Sequence, residues 1–286
     1  MKRNRSAVLV AILVAVTVAF AAELSAQVRA TGTGVAAGEP TADEIVARAI
    51  ERSEGQIERL VDAEFQARMF STVDTVNGDG EVTDSETARY RRYGVMGALF
   101  DELVEKEGEP LSEKERREER ERLGDFEEEV RERVAEGLPP QPDDGRRVQF
   151  DSYLMQRYNV EIVGEEDVRG HTCWVISMEP REGELPERNR MDVALNRANG
   201  RIWVAQDDFG VARVEFILRD PIKYLGGFLA TVRKTNGRIE IDRYEPGVWM
   251  PSEFELQLDL RVLFKNIRRV ISTEWSDYER VTTAGR

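Results

Sequence analysis

The chain has 286 residues, of which 55 are acidic and 41 basic, so its formal charge is −14 with histidine neutral. A net charge this negative does not draw a protein to nucleic acid or to an anionic lipid surface, and we expect no nucleic-acid partner. The single cysteine, Cys173, has no partner for an internal disulfide bond, so the fold must be stabilised by burial.

The N-terminal residues have the pattern of a secretory signal peptide. Three basic residues precede the apolar run "SAVLVAILVAVTVAFAA", and small residues allow cleavage after Ala21 or Ala26. No cysteine lies near either cleavage site, so we expect no lipid anchor. We assign residues 1–26 to a signal peptide and 27–40 to a flexible leader, with an uncleaved membrane anchor as the alternative.

The stretch "PTADEIVARAIERSEGQIERL" predicts an amphipathic helix. Thr41 and Glu44 have the spacing of a capping box, in which two side chains satisfy free N–H groups at the start of a helix. One face carries the less polar residues at helical spacing: Val46, Ile50, Ser53, Ile57 and Leu60. This face is expected to pack on the rest of the protein.

From Phe65 onward the apolar residues recur at every second position, which is typical of strands. "VNGDGEV" predicts a hairpin turn into the strand "SETARYRRYGV", and "MGALFDELVEKEG" predicts a third strand that pairs back. The turn resembles a calcium-binding EF-hand loop at Asn77, Asp79 and Glu86, but Thr75 occupies the first ligand position and the flanks alternate like strands. We therefore favour a plain turn over a calcium site.

Residues 111–136, within an insertion placed at 108–145, carry charge at most positions. Opposite charges stand four residues apart, as at Glu113 and Arg117, which favours a solvated helix. A narrow apolar stripe follows at helical spacing: Leu123, Phe126, Val130, Val134 and Leu138. We expect the second half of this helix to dock by the stripe and the first half to project into solvent.

The chain after Val148 is predicted to form antiparallel strands to its end. The expected strands, bounded by turn residues, are 153–164, 171–179, 199–207, 211–219, 228–244, 248–264 and 267–280. Within 248–264 the segment "FELQLDLRV" alternates between apolar and polar residues, which gives that strand one apolar face. Long strands joined by short turns predict a curved meandering sheet or partial barrel.

Few residues suit catalysis. His171 and Cys173 lie two positions apart in "RGHTCWV" and would share a strand face, but no third group orients them as a nucleophile and its base require. We favour a turn histidine beside a small buried side chain, and a zinc site would need more ligands of this kind. A hydrolase that uses Asp or Glu is a third hypothesis without a recognisable pair. We expect no enzyme, no cofactor and no metal.

The apolar faces of the strands are the feature left for function. A long curved sheet with few helices to cover it leaves an apolar groove, and such grooves take apolar ligands. The residues predicted to line it are Trp174, Ile176, Phe216, Leu218, Phe254, Leu256, Leu258 and Leu260. Most of each face is expected to be ordinary core.

Several phrases of the sequence resemble a family of exported bacterial proteins. "GHTCWVISMEP", "NGRIWVAQDDFGVARVEF", "YEPGVWMPSEFEL" and "STEWSDYER" are similar to recurring phrases of the LolA/LolB-like superfamily, which includes outer-membrane lipoprotein-sorting factors. "LVEKEGEPLSEKERREE" resembles the charged insertion of less characterised members and departs from the short sorting factors. The resemblance covers residues 41–281, which we take as a single domain.

This resemblance implies an α+β fold: a strongly curved, unclosed antiparallel β-barrel, or half-barrel, with helices in or over its concave face. It also implies a periplasmic carrier or chaperone for lipid or lipoprotein acyl chains, without catalysis and without a cofactor. The alternative is a non-enzymatic envelope scaffold in which the acidic helix at 111–136 docks a membrane-associated partner.

Overall fold

The computed structural model describes residues 40–58, 61–142, 150–188, 190–224 and 230–281. The predicted signal peptide, the leader up to residue 39, and Leu60 lie outside these ranges. The helices are α1 (Ala42–Glu58), α2 (Glu113–Ala135), α3 (Ser152–Met155) and α4 (Arg190–Leu195), with a 3-10 turn at Val61–Glu64. The strands are β1 (Phe65–Val76), β2 (Val82–Val95), β3 (Ala98–Lys106), β4 (Glu109–Pro110), β5 (Tyr158–Val168), β6 (His171–Pro180), β7 (Ala198–Ala205), β8 (Val211–Leu218), β9 (Ile222–Tyr224), β10 (Ala230–Glu245), β11 (Val248–Val262) and β12 (Lys265–Arg280).

The strands form a single sheet whose order is β4-β3-β2-β1-β12-β11-β10-β8-β7-β6-β5, with β9 beside β10. The strand pairs are antiparallel throughout the described chain. Within that part of the chain the end strands β4 and β5 do not pair with each other, so the sheet is open. The predicted α+β class with an unclosed antiparallel barrel is confirmed.

Alternation along the strands gives this sheet two chemically different faces. The inner face, which α1 covers, carries apolar residues in direct register: Ile176, Ile202, Val214, Ile239 and Phe254. The outer face carries polar residues in direct register: Arg201, Glu215, Arg238 and Glu255. An antiparallel sheet with one packed and one solvated face is the arrangement that this alternation predicts.

Helix α1 begins where the capping box predicts it. Thr41 N donates to Glu44 Oε2 at 2.9 Å, and Glu44 N donates to Thr41 Oγ1 at 3.3 Å. The apolar residues by which α1 enters the main core are Ile45, Val46, Ala49 and Ile50. Burial of each large side chain contributes roughly 1.5–3 kcal/mol, so this contact is the main attachment of α1 to the sheet. Within the described ranges, no helix is long and apolar enough to cross a membrane.

Helix α2 lies along the edge of β3, beside the residues that do not pair with β4. Leu103 N donates to Glu119 Oε1 at 2.8 Å, and Arg122 Nη2 donates to the carbonyl oxygen of Asp101. On the same strand, the ring of Phe100 lies 5.1 Å from the ring of Phe126. These contacts satisfy backbone groups of the edge strand, which protects it from pairing with another chain.

The predicted division of this helix is wrong in two respects. Glu119 and Arg122 belong to the first half, which therefore docks on β3 instead of projecting into solvent. In the predicted stripe Val130 is fully buried, whereas Val134 is 51% and Leu138 40% exposed. The reason is that a strand edge offers hydrogen-bonding groups, which polar side chains reach and an apolar stripe does not indicate.

The strand predicted at 153–164 also begins too early. Asp151 Oδ1 accepts from Leu154 N at 2.7 Å and caps α3, so β5 starts only at Tyr158. The sequence did not indicate β4, β9 or α4, because elements of two to six residues are too short to show a period. The other strands predicted after residue 165 lie within two residues of their observed bounds.

Candidate functional site

A small cavity lies between the C-terminal half of α1 and the sheet. It measures about 30 Å³ and is lined by Arg52, Gln56, Phe209 and Trp249 among others. This volume suffices for about one water molecule. At these residues an apolar ligand can therefore enter between α1 and the sheet only if the helix moves.

Gln56 attaches the C-terminal half of α1 to the start of β11. Its Nε2 donates to the carbonyl oxygen of Trp249 at 3.0 Å, and Trp249 N donates back to Gln56 Oε1 at 3.2 Å. Gln56 Nε2 also donates to Asp62 Oδ1 at 2.6 Å. Gln56 is only 7% exposed, so these bonds satisfy an amide that would otherwise be buried at a cost.

A second attachment joins α1 to the turn between β7 and β8. Arg52 Nη2 lies 3.1 Å from Asp208 Oδ2, and the same oxygen accepts from Trp249 Nε1 at 3.0 Å. Gly210 is required beside it, because a Cβ there would lie 2.0 Å from Trp249 Nε1. We call Arg52, Gln56, Asp208 and Trp249 together the α1 latch.

The latch holds Asp208 in its charged form. Burial alone would raise the pKa of Asp208, but hydrogen bonds from Trp249 and Gly210 and the charge of Arg52 outweigh it and lower the pKa below its usual range. A carboxyl with a lowered pKa contributes stability above its unfolded pKa of about 3.9 and loses it as the pH falls through the folded value. The latch is therefore intact at neutral pH.

The eight residues predicted to line the apolar groove are divided by their burial. Ile176, Phe254 and Leu256 are no more than 6% exposed and belong to the core beneath α1. The partly buried residues that pack against this core are Trp174, Phe216 and Leu258. Leu218 and Leu260 are partly buried and lie outside that core.

The apolar side of β11 extends beyond the core. Phe254 and Leu256 are buried, Leu258 and Leu260 are partly exposed, and Phe264, just past the strand, is 94% exposed. Strand register places further apolar residues beside this end, because Leu260 pairs with Val232 of β10 and with Ile267 of β12. We call the resulting partly exposed surface the distal strip: Val232, Leu258, Leu260, Val262 and Ile267.

Sequence reasoning missed Val232 and Ile267. Both fall inside predicted strands, but their face depends on the exact pairing with β11. A bulge between Val232 and Lys234 shifts the register of β10, so alternation counted along the chain from Ile239 would place Val232 on the outer face. Only the paired structure shows that these residues join the apolar surface.

A larger hollow lies on the opposite side of the sheet. A groove of about 550 Å³ is lined mostly by outer-face residues, among them Arg201, Glu215 and Arg238. Its walls are mostly polar. Of the eight residues predicted to line an apolar groove, it contains only Phe216. This groove is therefore not the predicted apolar site.

The histidine and cysteine have structural surroundings. His171 Nδ1 lies 3.1 Å from Arg243 Nη2, and because guanidinium only donates, this nitrogen acts as the acceptor. Burial raises the pKa of the Cys173 thiol to about 11, so the thiol is protonated at neutral pH and is a poor nucleophile. The arrangement agrees with a turn histidine beside a small buried side chain.

The loop that resembles an EF-hand is a hairpin turn. Asn77 Oδ1 accepts from Asp79 N and from Glu81 N, both at 2.9 Å, so this oxygen stabilises the turn itself. Across the described chain, no group of three or more His, Cys, Asp or Glu side chains is placed to hold a metal ion.

No family model matches the sequence, and no curated protein matches it either. Among solved structures, a LolA superfamily protein from Nitrosomonas europaea is similar at 12% identity and a TM-score of 0.32, over 84% of this chain and 93% of that one. A putative outer-membrane lipoprotein-sorting protein domain from Vibrio parahaemolyticus has 10% identity and a TM-score of 0.36, over 84% and 95%. A chain of the Pseudomonas aeruginosa MucA/MucB complex has 10% identity and a TM-score of 0.21, over 82% and 99%.

These similar structures thus include a LolA superfamily protein and a putative lipoprotein-sorting protein domain. Likenesses this weak concern the course of the chain alone and do not bear on ligand or partner.

Proposed function

We propose that this protein is a non-catalytic carrier of lipid or lipoprotein acyl chains in the periplasm, with α1 as a displaceable lid. The observation that carries the proposal is the apolar inner face, which continues from the core beneath α1 into the partly exposed distal strip. An acyl chain that enters at the distal strip would extend along β11 towards Leu256 as α1 moves aside.

The dimensions of this track suit an acyl chain. The eight residue steps from Phe254 to Val262 span roughly 26 Å at about 3.3 Å per strand residue. One leaflet contributes roughly 15 Å, half of the 30 Å hydrocarbon thickness of a bilayer, and this is the depth that an acyl chain fills there. Each CH₂ group taken from water into such a track contributes about 0.8 kcal/mol, which can offset the cost of moving α1.

The absence of catalysis and the location in the periplasm are parts of the same proposal. A protonated Cys173 and a His171 bonded to Arg243 support a role without nucleophilic chemistry. The basic start and apolar run before Ala26 support export.

The latch provides the test. The chain from Gln27 onward should bind a fluorescent fatty-acid probe saturably, and Arg52→Ala should bind it faster because α1 opens more often. Loss of a charge-assisted hydrogen bond of about 1.5 kcal/mol raises the open population roughly tenfold. The matched control is Arg68→Ala, whose ion pair with Asp277 is exposed and away from α1.

Stopped-flow fluorescence measures both association rates. A rate for Arg52→Ala equal to that of the unmodified chain and of Arg68→Ala would exclude α1 as the lid. A chain that binds no acyl probe would overturn the carrier proposal itself.

A second candidate function is the envelope scaffold. It is favoured by the exposure of Val134 in the last turn of α2 and of Leu138 just beyond it, since exposed apolar side chains beside a charged helix suit a protein partner. A photoreactive residue at Val134 should then cross-link one protein in the cell envelope, while one at the exposed Glu128 of the same helix should not. Equal cross-linking at both positions would contradict this candidate.

A further inference from the structure

The turn between β11 and β12 differs from the other two-residue turns of the described sheet. Val262 pairs with Lys265, which leaves Leu263 and Phe264 as the turn. The corresponding second position is glycine in the other two-residue turns, at Gly97, Gly108, Gly170 and Gly247. Two-residue turns favour glycine because it adopts positive φ without strain.

The residues at this turn are unfavourable for the turn itself. Leu263 has φ 52°, the left-handed conformation that Met96, Glu107 and Arg169 also adopt at the first position of their turns, and a leucine adopts it only at a cost. Phe264 is 94% exposed and Leu263 49%, so neither side chain gains burial in return. Two exposed apolar side chains at a turn that lacks the usual glycine indicate a function outside the fold.

The surroundings of the turn are basic although the chain is acidic. Residues 257–269 of β11 and β12 contain Arg261, Lys265, Arg268 and Arg269 against one acid, Asp259. The adjoining parts of β9 and β10 add Lys223, Arg233 and Lys234 and no acid over the described residues 222–224 and 230–235. Asp259 is occupied by Arg233 at 2.6 Å and by Arg268 at 3.3 Å.

The positive charge is confined to one side of this end of the sheet. Arg268 Nη1 donates to the carbonyl oxygens of Asn77 and Gly78 in the β1–β2 turn, so that turn is its neighbour. The β1–β2 turn carries Asp79 and Glu81, which would repel an anionic surface. The protein must therefore approach an anionic surface with β10–β12 towards it and the β1–β2 turn tilted away.

We propose that the β11–β12 turn is a membrane-docking tip: Leu263 and Phe264 enter the interface of an anionic lipid bilayer, and the surrounding Lys and Arg residues contact its headgroups. Aromatic and aliphatic side chains with basic neighbours are the combination that binds such interfaces. The negative net charge of the chain predicts repulsion from an anionic bilayer. Charges more than a Debye length of about 8 Å from the headgroups are largely screened, however, so the basic residues around the turn decide the attraction.

This docking goes beyond the carrier function and can fail separately from it, because it requires no ligand on the inner face. Docking would also bring the distal strip close to the bilayer, because Leu260 and Val262 lie at the end of β11 that leads into the tip. A docked tip would place the open end of the apolar track near the bilayer.

The experiment is co-sedimentation of the chain from Gln27 onward with vesicles of phosphatidylglycerol and, separately, of phosphatidylcholine. The unmodified chain should bind phosphatidylglycerol at low salt and bind roughly tenfold less in 0.5 M salt or to phosphatidylcholine. Phe264→Ser should weaken binding about tenfold, as loss of one inserted aromatic side chain implies. The matched control is Ile217→Ser, which removes a side chain of the outer face that is 58% exposed.

A second variant separates docking from folding. Replacing Leu263 by Asn together with Phe264 by Gly installs the sequence that a two-residue turn prefers, so this variant should be at least as stable as the unmodified chain. It should nevertheless lose vesicle binding. Undiminished binding by this variant, equal losses in Ile217→Ser and Phe264→Ser, or no binding of the unmodified chain to phosphatidylglycerol would each overturn the proposal.

Discussion

Asp62 is a residue whose charge works against the fold. It follows α1, is partly buried, and accepts from Gln56 Nε2 at 2.6 Å. Burial raises the pKa of Asp62, and the hydrogen bond from Gln56 and the charge of Arg92 only partly offset this. A carboxyl with a raised folded pKa costs stability above that pKa, and the cost disappears as the pH falls below the unfolded value of about 3.9.

Asp62→Asn should therefore raise the melting temperature at pH 7, since the amide oxygen still accepts from Gln56 without a buried charge. The gain should shrink as the pH approaches about 4, where the carboxyl itself is protonated. Thermal unfolding at several pH values measures this, with Asp79→Asn in the exposed β1–β2 turn as the control. A destabilised variant at pH 7, or a gain that grows on acidification, would contradict the account.

The residue scale is where the sequence was least informative. Arg157 is completely buried, with 0% of its surface exposed to solvent. Its guanidinium group pairs with the carboxylate of Asp192 at 2.9 Å. Its partner lies 35 positions away in α4, an element the sequence did not indicate. The α1 latch is hidden for the same reason, because Arg52 and Asp208 are separated by 156 positions and nothing local relates them.

At the scale of one element, β11 joins core and site in a single strand. The sequence presents Leu256 and Leu260 as equivalent members of one alternating face. The structure separates them: Leu256 is 5% exposed and pairs with Ile271, whereas Leu260 is only partly buried and lies in the distal strip. The alternation was sufficient to predict the face but not how deeply each of its residues is buried.

Leu256→Gln should cost roughly 2–5 kcal/mol of unfolding free energy, because it removes a packed side chain and buries an amide without partners. Leu260→Gln should cost less than about 1 kcal/mol, because one side of Leu260 already faces solvent. Urea unfolding measures both. Leu260→Gln should keep nearly its full stability and bind the acyl probe more weakly, and Ile217→Gln on the outer face is the control for an exposed site.

Equal costs at the two positions would mean that the distal strip is ordinary core. A folded Leu260→Gln variant with unchanged probe affinity would remove the distal strip from the binding surface.

Helices and strands whose apolar residues recur at a regular spacing could be predicted from the sequence, but the elements they pack against could not. The long strands and α1 follow from alternation and from the Thr41–Glu44 capping box. The edge position of α2 does not, because it rests on Glu119, which accepts from Leu103 N of β3, and on the segment after the helix, where Gln141 accepts from Leu99 N. Such contacts are invisible to any count of apolar residues along a helix.

At the scale of the whole molecule, the sheet is arranged so that its first and last long strands meet. β1 pairs with β12 over Phe65–Val76, which places residues from the two ends of the described chain side by side. The short turns predict that consecutive strands pair. They do not predict that β1 pairs with β12 or that β8 lies next to β10, because these strands are not consecutive in the chain. Bulges also change which face a residue occupies, and no alternation pattern specifies them.

We propose that an acyl chain occupies the inner face after α1 moves. Cross-linking of the chain from Gln27 onward with a photoreactive fatty acid, followed by mass-spectrometric mapping of the adducts, tests this most directly. We expect adducts on α1 and on the inner face of β11, at Leu258 and Leu260. The proposal would be contradicted by no saturable adduct, or by adducts confined to the outer face around Ile217.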